Sequence, residues 1–374
     1  MKKVGVAILG ATGSIGQQFV RLLDNHPTFD VRAITASKSK IGLHYSELEI
    51  GRPKFDWDFQ ADSINGIPDY AKNMRLTETS VDSLKDIGGI EIVFAGLPSD
   101  IDKKLQLDCA QHGYTVISKS SSFRGDSLVP LLVPEVNPDH LNLLPAQRKS
   151  KNMPESGAII ADPNCTTTGL VIALKPILDN VGLSTVFVTT LQAMSGAGLH
   201  ALSPMSIMSN VLPFIDKEEY KLETETLKIL GKYHDGNITN NSFPIHPSCL
   251  RVPVDTGHIE DVYFETRESC SVEDLKRFMR RFRGEPEELH LHTAPDQLII
   301  VKDEKDRPQP KMDVNAGSGM SVVVGRIREQ GEGFRMTLLV NNTIRGGAGM
   351  AVLNAEFMAA KGLTRTIFKE PLVN

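Results

Sequence analysis

The sequence opens with a short apolar run, a glycine-rich turn and an amphipathic segment in succession, and this order restricts the fold more than any other feature. The apolar run is VGVAIL at 4–9, and the turn is GATGSIG at 10–16. Apolar residues then recur at helical spacing as far as Leu23, and a second strand-like stretch, DVRAIT, follows at 30–35. The pattern predicts a βαβ unit of about 32 residues, the size of one mononucleotide-binding unit.

The same alternation of strands and helices continues along the first half of the chain. Strands are predicted at 90–97, 114–118 and 156–162, and a helix is predicted at about 99–112. The polar, proline-marked stretch 144–156 is interpreted as a surface connection near a domain edge. We therefore expect an α/β protein with a Rossmann-type, doubly wound parallel sheet.

The second half has a different pattern, which favours a mixed and largely antiparallel sheet in an α+β domain. Ser271 and Asp274 form a capping pattern before an amphipathic helix, whose basic side is interpreted as a solvated face rather than a binding patch. The run 347–361 predicts a C-terminal helix that packs back on the first domain. Longer alternating strands are predicted at 185–193, 259–267, 320–328 and 334–341.

Composition narrows the class of partner. The 374 residues suggest two or three domains, and 41 basic against 46 acidic residues give a net charge of −5. Nucleic acid or an anionic membrane as the main partner is disfavoured, because such proteins usually carry a basic excess. The four cysteines include no C-x-x-C pair, which argues against a zinc ribbon and fits a reducing cytoplasm. His290 and His292 form H-x-H without a third ligand nearby, so no metal site is predicted.

The glycine-rich turn has the chemistry of an anion cradle. Gly10 permits the tight turn, and Gly13 lets the main chain approach a pyrophosphate beside Thr12. The N–H groups at the helix start, around Ser14 and Ile15, would point at the anion. The turn therefore predicts a dinucleotide site, and the alternative is a merely tight βα turn.

The end of the second strand indicates which dinucleotide binds. Enzymes that grip the ribose 2′-hydroxyl of NAD place an acid about 20 residues after the glycine turn. Here the chain reads TASKSK, with no acid and with Ser37, Lys38 and Ser39 in its place. Cations and hydroxyls suit a 2′-phosphate, which predicts NADP. The alternative is a solvated lysine loop.

A candidate nucleophile follows the strand at 156–162. Cys165 is placed at the start of an apolar helix, where unpaired N–H groups and the helix dipole stabilise a thiolate. The same N–H groups, with Asn164 beside them, are candidates for holding an oxyanion. Position alone leaves a nucleophile and a buried thiol equally open.

Together with further segments, these motifs resemble the aspartate-β-semialdehyde dehydrogenases of the branch found in archaea and fungi. The resemblance covers essentially the whole length of the chain. The resemblance implies an NADP-binding Rossmann domain at 1–163 joined by the C-terminal helix at 343–374, and a catalytic and dimerisation domain at 164–342. The matching segments, in order, are GATGSIG, PNCTTTGL, LQAMSGAG (191–198), EEYK (218–221), RVPVDTGH (251–258), DRPQP (306–310), VGRIRE (324–329) and NNTIRGGAG (341–349).

The resemblance implies catalytic roles for particular residues. Cys165 would attack the acyl phosphate of β-aspartyl phosphate, and the resulting thioester would accept a hydride to give the semialdehyde. His258 would be the general acid/base, since an imidazole both takes and gives a proton near neutral pH. Gln192 would orient the acyl group. Arg251 would clamp the substrate carboxylate, and Glu218 would meet its ammonium.

Further roles concern phosphate and the cofactor. Lys221 would bind phosphate, with Arg124 as a second contact. The family usually has Asn where this chain has Lys119, which bears on the assignment of Arg124. Around the nicotinamide half of NADP the matching residues are Ser195, Gly196 and Asn342. A soluble cytoplasmic homodimer or homotetramer is implied, serving lysine, threonine, methionine and isoleucine biosynthesis.

Several alternatives remain open at the level of sequence. His200 is a rival base, and Glu218 with Lys221 would otherwise be an ordinary helix pair. Malonyl-CoA reductase resembles this branch, but its substrate has no ammonium for Glu218 to meet. A non-catalytic NADP-binding redox sensor would need the glycine turn but not an aligned cysteine, arginine and histidine.

Overall fold

The computed structural model describes residues 3–48, 66–97, 99–198 and 204–365. The chain forms two compact units, and each has its own sheet. Within the described residues, no helix is both long and apolar enough to cross a membrane. The first unit comprises Met1–Pro130, Leu141–Asp162 and Ala351–Asn374, and the second comprises Leu131–His140 and Pro163–Met350.

The sheet of the first unit has six strands, all parallel, in the order β3-β2-β1-β4-β5-β6. This is the strand order of a doubly wound dinucleotide-binding sheet, so the predicted fold class is confirmed. Every residue of β1, β4, β5 and β6 is buried, as expected for central parallel strands. The strands are β1 (Val4–Leu9), β2 (Phe29–Ala36), β3 (Leu76–Glu78), β4 (Ile92–Ala95), β5 (Thr115–Ser118) and β6 (Ala158–Ala161).

In the described part of the first unit, helices α1 to α5 lie before Pro163 in the chain. Among them, α5 corrects the prediction of a surface connection across 144–156. The polar composition of this stretch predicted a loop, but the segment is a helix whose Gln147 is buried and hydrogen-bonded to backbone groups. The Gln147 amide donates to the carbonyls of Leu128 and Ile159 at 3.0 and 2.9 Å, and it accepts from the Ile159 N–H at 2.8 Å. The helices are α1 (Ser14–Leu22), α2 (Asp69–Lys72), α3 (Val81–Ile87), α4 (Ser99–Gln111) and α5 (Leu144–Ser150).

The sheet of the second unit is mixed, in the order β10-β7-β11-β14-β13-β12, and β8 pairs with β9 in a separate ribbon. β7, β11, β14 and β13 pair antiparallel, whereas β10 and β12 pair parallel at the two edges, so the prediction of a largely antiparallel sheet is confirmed. The strands are β7 (Leu183–Gln192), β8 (Lys232–His234), β9 (Asn237–Thr239), β10 (Ile245–Arg251), β11 (His258–Thr266), β12 (Ile299–Val301), β13 (Val322–Gln330) and β14 (Gly333–Val340).

The helices of the second unit follow the predicted pattern where the sequence is periodic. The helix after Ser271 has the predicted capping box, and its basic side chains pair with surface acids such as Asp303. The C-terminal helix spans the unit boundary, and its residues from Ala351 belong to the first unit. The helices are α6 (Cys165–Val181), α7 (Pro204–Ile207), α8 (Glu218–Ile229), α9 (Val272–Arg281), α10 (Glu285–Glu288), α11 (Pro310–Asp313) and α12 (Gly349–Ala360).

Candidate active site

Cys165 is the first residue of α6, a helix of 17 residues. The side chain of Asn164 caps this helix, because its Oδ1 accepts from the Thr166 N–H at 3.0 Å and from the Thr166 hydroxyl at 2.6 Å. Cys165 is half-buried, whereas Cys109 and Cys249 are buried. A thiol at a capped helix N-terminus is in the position that favours its thiolate.

His258 faces the thiol. Its Nε2 lies 3.3 Å from Cys165 Sγ, and its Nδ1 accepts a hydrogen bond from the Ala193 N–H at 3.0 Å. A neutral imidazole that accepts on Nδ1 carries its proton on Nε2. Burial, reinforced by the charge of Arg251, lowers the pKa of His258 well below 6.5. His258 is therefore neutral and directs an N–H at the sulfur.

The register of the mixed sheet places three of the predicted residues in one row. Arg251 of β10 pairs with Gln192 of β7. His258 begins β11, whose next residue pairs with Leu191, so His258 lies across from Gln192 on the other side of β7. Alternation along these strands turns all three side chains to the buried face. The row presents a guanidinium, an amide and an imidazole side by side.

Backbone atoms and a glycine fix the two basic members of the row. Ala193 donates its N–H to His258 and accepts the Arg251 Nη1 hydrogen bond on its carbonyl at 2.7 Å. A Cβ at Gly196 would lie 2.8 Å from Arg251 Nη1 and 3.0 Å from His258 Nε2. A side chain at this position would crowd the guanidinium and the imidazole, so glycine leaves the space between the two functional groups open.

Glu218, the first residue of α8, collects hydrogen bonds from several candidate residues. Its carboxylate accepts from Asn164 Nδ2 at 3.1 and 2.9 Å, from Gln192 Nε2 at 3.3 Å and from Lys221 Nζ at 2.7 Å. Burial opposes the charged form, but the Lys221 charge and these hydrogen bonds outweigh it and lower the pKa of Glu218. Glu218 is thus an ionised acceptor, buried beside the nucleophile's neighbour.

The residues assigned to the nicotinamide half also meet within the second unit. Asn342 donates from Nδ2 to the Ser195 hydroxyl at 2.9 Å, and its Oδ1 accepts from the Gly257 N–H at 2.9 Å. Gly346, in the same NNTIRGGAG segment, touches the nucleophile, because a Cβ there would lie 2.5 Å from Cys165 Cβ. Asn342 therefore contacts Ser195, and Gly196 lies beside Arg251 and His258.

In the first unit, the glycine turn has space for an anion. Gly10 has φ +73°, a backbone conformation that favours glycine. At Gly13, by contrast, an added Cβ would meet only the Gly10 carbonyl, at 3.5 Å. Gly13 precedes α1 and caps it without a side-chain hydrogen bond. The N–H groups at Ser14 and Ile15 thus begin the helix beside an open glycine surface.

These units match known protein families. The family model described as semialdehyde dehydrogenase, NAD binding domain, matches residues 5–144, and the dimerisation domain of the same group matches 174–345. Aspartate-semialdehyde dehydrogenase of Methanothermobacter thermautotrophicus is 39% identical over 95% of this chain and 99% of the relative. The chain belongs to the aspartate-semialdehyde dehydrogenase family. The dimerisation domain indicates a homo-oligomer.

Other relatives support membership of this family. A solved structure of aspartate-semialdehyde dehydrogenase with NADP from Candida albicans superposes with a TM-score of 0.83, at 34% identity, covering 95% of this chain and 98% of that one. The enzyme of Archaeoglobus fulgidus is 41% identical over 95% of this chain and 98% of the relative. The malonyl-CoA reductase (NADP) of Metallosphaera sedula is 34% identical over 95% of this chain and 97% of the relative.

Lys119, the departure from the family pattern, points into the first unit. Its Nζ lies 3.6 Å from the Asp162 carboxylate, which is fully buried and also accepts from Asn354 Nδ2 at 2.6 Å. Burial raises the pKa of Asp162, although Lys119 opposes the rise. Arg124 donates from Nη2 to the Lys119 carbonyl at 2.9 Å. Because this bond uses the backbone of residue 119, it holds Arg124 at the end of β5 whichever side chain stands there.

The 2′-phosphate candidates lie on a short 3-10 turn after β2. The hydroxyls of Ser37 and Ser39 are 3.3 Å apart, and Lys38 is exposed. Lys40, which the sequence analysis left out of the site, reaches the glycine turn, because its Nζ donates to the Thr12 hydroxyl at 3.3 Å. The sequence SKSK offers two cations, and only side-chain geometry shows which one contacts the turn.

Two other histidines were considered in the sequence. His200, the rival base, lies outside the described residues. His290 is exposed, and the described ranges contain no group of three or more histidine, cysteine or acidic side chains that could hold a metal ion. Sequence reasoning missed Ala193, whose role is carried by backbone atoms, and Gly346. The segments LQAMSGAG and NNTIRGGAG, which contain them, were the available signal.

Proposed function

We propose that the protein is an NADP-dependent aspartate-β-semialdehyde dehydrogenase that converts β-aspartyl phosphate reversibly to aspartate β-semialdehyde and phosphate. The observation that carries the proposal is the pair of Cys165 at a capped helix start and His258 Nε2 at 3.3 Å, within a row that includes Gln192 and Arg251. Identity to curated aspartate-semialdehyde dehydrogenases over nearly the whole chain supports it. The alternative of a non-catalytic redox sensor does not require this row.

Cys165 is the nucleophile in this proposal. Its thiolate attacks the acyl carbon, the carbon–sulfur bond forms, and phosphate leaves with the electrons of the carbon–oxygen bond and takes up one proton. Bound NADPH supplies the hydride that reduces the thioester carbon. The oxyanion then re-forms the carbonyl, and the carbon–sulfur bond breaks to give the semialdehyde and restore the Cys165 thiolate.

His258 acts as an N–H donor in this sequence. Its Nδ1 is taken by the Ala193 N–H, so in this tautomer Nε2 carries the proton and cannot accept one from the thiol. The Nε2–H instead stabilises the thiolate and then the oxyanion that forms when the acyl carbon is attacked. We therefore propose that His258 acts through donation from Nε2, which is a narrower role than the general acid/base role that the family resemblance implies.

The substrate is held by charge and hydrogen bonds. Arg251 clamps the α-carboxylate with its planar guanidinium, and Glu218 accepts the ammonium. Gln192 orients the acyl oxygen from the middle of the row. Lys221 is proposed to bind the phosphate, and Arg124 is proposed as a second phosphate contact.

The residues of the first unit fit NADP. The open glycine surface takes the pyrophosphate, and Lys40 joins the predicted cation and hydroxyls at the 2′-phosphate. Ser195, Gly196 and Asn342 of the second unit are assigned to the nicotinamide half. The remaining cofactor residues are Gly10, Thr12, Gly13, Ser14, Ile15, Ser37, Lys38 and Ser39.

The assay that tests the function compares two substrates in parallel. We expect phosphate-dependent reduction of NADP when aspartate semialdehyde is supplied, and no oxidation of NADPH driven by malonyl-CoA. The opposite result would assign the chain to malonyl-CoA reductase. Glu218 favours the first substrate, because malonyl-CoA has no ammonium for a buried carboxylate to meet.

We further propose that the enzyme is a homodimer or homotetramer in the cytoplasm, serving lysine, threonine, methionine and isoleucine biosynthesis. The match of residues 174–345 to a dimerisation domain supports self-association. Light scattering coupled to size-exclusion chromatography distinguishes two from four subunits, and a monomer would contradict the proposal.

A further inference from the structure

Helix α8 carries a second carboxylate, besides Glu218, that contacts Asn164, the residue before the nucleophile. Glu225 is seven residues after Glu218, which is about two helical turns, so both side chains leave the same face of the helix. Glu225 is 6% exposed, and its Oε2 accepts the backbone N–H of Asn164 at 2.7 Å. A charged acceptor at this distance makes one of the stronger hydrogen bonds available to a backbone amide.

Asn164 is therefore held by α8 at two points. Glu218 accepts from its side-chain amide, and Glu225 accepts from its main chain. The two bonds differ in what they fix. A side-chain bond can be exchanged by rotation of the asparagine, whereas the main-chain bond fixes the Pro163–Asn164 peptide, one residue before Cys165.

The side-chain bond is the one that substrate would disturb. If Glu218 meets the substrate ammonium, as the proposed function requires, its carboxylate gains a competitor for Asn164 Nδ2, Gln192 Nε2 and Lys221 Nζ. The Asn164 amide is then able to turn toward the acyl oxygen, and because Oδ1 and Nδ2 move together, this turn also weakens the Oδ1 cap on Thr166. Such a turn helps catalysis only if the peptide before Cys165 stays in place.

We propose that Glu225 is a positioning residue that holds the Asn164 peptide, and with it Cys165, while Glu218 exchanges Asn164 for substrate. The proposal rests on the function proposed for Glu218, but the bond that it concerns is present without substrate. Glu225 does not touch the reacting atoms. It acts by keeping the thiol at the helix start within reach of His258.

The test compares three variants of the full-length enzyme. Glu225→Met removes the acceptor and keeps an extended side chain, and Glu225→Gln keeps an acceptor oxygen without the charge. Glu223→Ala alters an exposed acid on the same helix and serves as the control. Two properties are measured, namely the rate of Cys165 alkylation by iodoacetamide as a function of pH, and kcat and KM for aspartate semialdehyde.

We expect Glu225→Met to lower kcat by roughly 10- to 100-fold with KM changed by less than about 3-fold, because misplacement of a reacting group affects the chemical step. The pH at which Cys165 alkylation is half-maximal should rise, because a displaced thiol loses the helix N-terminus and the His258 N–H. In Glu225→Gln, kcat and the rate of Cys165 alkylation should stay within about 3-fold of the native values. Glu223→Ala should match the native enzyme.

The proposal is overturned if Glu225→Met alkylates and turns over like the native enzyme, or if folded Glu225→Gln is as impaired as Glu225→Met. Thermal melting monitors folding. If Glu225→Met does not fold, Glu225→Asp takes its place, since it keeps the charge but withdraws the carboxylate by one carbon, and the same shift in alkylation is required of it. Alkylation needs no substrate, so an enzyme without aspartate-semialdehyde activity that still shows the shift refutes the proposed function and not the role of Glu225.

Discussion

Cys165 and His258 lie 3.3 Å apart, and what each contributes depends on the position of one proton. The Ala193 N–H occupies Nδ1 of the imidazole, which leaves the proton on Nε2. The sequence indicated both residues, because a cysteine at a helix start and a histidine in RVPVDTGH are visible in one dimension. It did not indicate the tautomer, because that depends on a backbone N–H located 65 residues away along the chain.

The lowered pKa of His258 predicts the shape of the pH profile. A base whose pKa lies well below 6.5 stays neutral when the pH falls through 6.5, so the Nε2–H donor keeps the same form. We expect kcat to stay level from about pH 8 down through pH 6.5 and to fall only at more acidic pH. The measurement is kcat against pH at saturating substrates, and a half-maximal loss centred near pH 6.5 would contradict this account.

Replacing Glu218 tests substrate recognition at the same scale. Glu218→Ala removes the acceptor for the substrate ammonium, and we expect kcat/KM for aspartate semialdehyde to fall by roughly 100-fold, because an ionic hydrogen bond is lost. The kcat/KM for succinate semialdehyde, which lacks the amine, should fall much less. Equal losses for the two substrates would show that Glu218 has only a structural role, and Glu223→Ala is the matched control.

At the scale of elements, β7, β10 and β11 bring together residues that the sequence keeps far apart. A single register places Arg251, Gln192 and His258 in one row. The next buried row toward the sheet centre contains Cys249, Thr190 and Glu260, all with no exposed surface. Alternation of the strands was predictable, but register was not, because it depends on pairing between strands that are distant in sequence.

Glu260 in the second row gives a stability prediction. Burial raises the pKa of its carboxyl well above 4.5, so above that pH the unfolded chain releases a proton that the folded protein keeps. Its contribution to stability is therefore lost as pH rises from about 4.5 through the folded pKa. We expect the free energy of unfolding of Glu260→Gln, relative to that of the native protein, to be higher at about pH 8 than near pH 5 by on the order of 1–3 kcal/mol.

The free energy of unfolding in urea at several pH values measures this difference. Glu223→Gln is the matched control, because it makes the same chemical change at an exposed position. A difference between Glu260→Gln and the native protein that does not grow with pH would refute the assignment of a neutral, buried carboxyl.

The turn before α12 packs closely against the nucleophile at a glycine. Its residues Ile344–Ala348 form a π-helical turn, and a Cβ at Gly346 would lie 2.5 Å from Cys165 Cβ. We expect Gly346→Ala to lower kcat at least about 10-fold and to destabilise the protein by about 1–3 kcal/mol, because overpacking displaces Cys165. Gly125→Ala, which meets nothing within 4 Å, should leave stability nearly unchanged. Native kcat in Gly346→Ala would contradict the role of this contact.

At the scale of the whole molecule, the chain returns to each unit after leaving it. Leu131–His140 belongs to the second unit although it lies between two parts of the first, and the residues from Ala351 rejoin the first. The two sheets were predictable because hydrophobic periodicity is local. Membership of short segments such as Leu131–His140 depends on long-range packing, which one sequence does not display. The polar helix α5 escaped prediction for a related reason, since Gln147 is buried by its backbone partners.

The central claim is that Cys165 forms a thioester during phosphate-dependent NADP reduction. The most direct measurement incubates the enzyme with aspartate semialdehyde and NADP without phosphate, quenches it in acid and maps the adduct by mass spectrometry. This account predicts an aspartyl group on the peptide containing Cys165, released when phosphate is added before the quench, and none in Cys165→Ser. An unmodified Cys165 together with full activity of Cys165→Ser would contradict it.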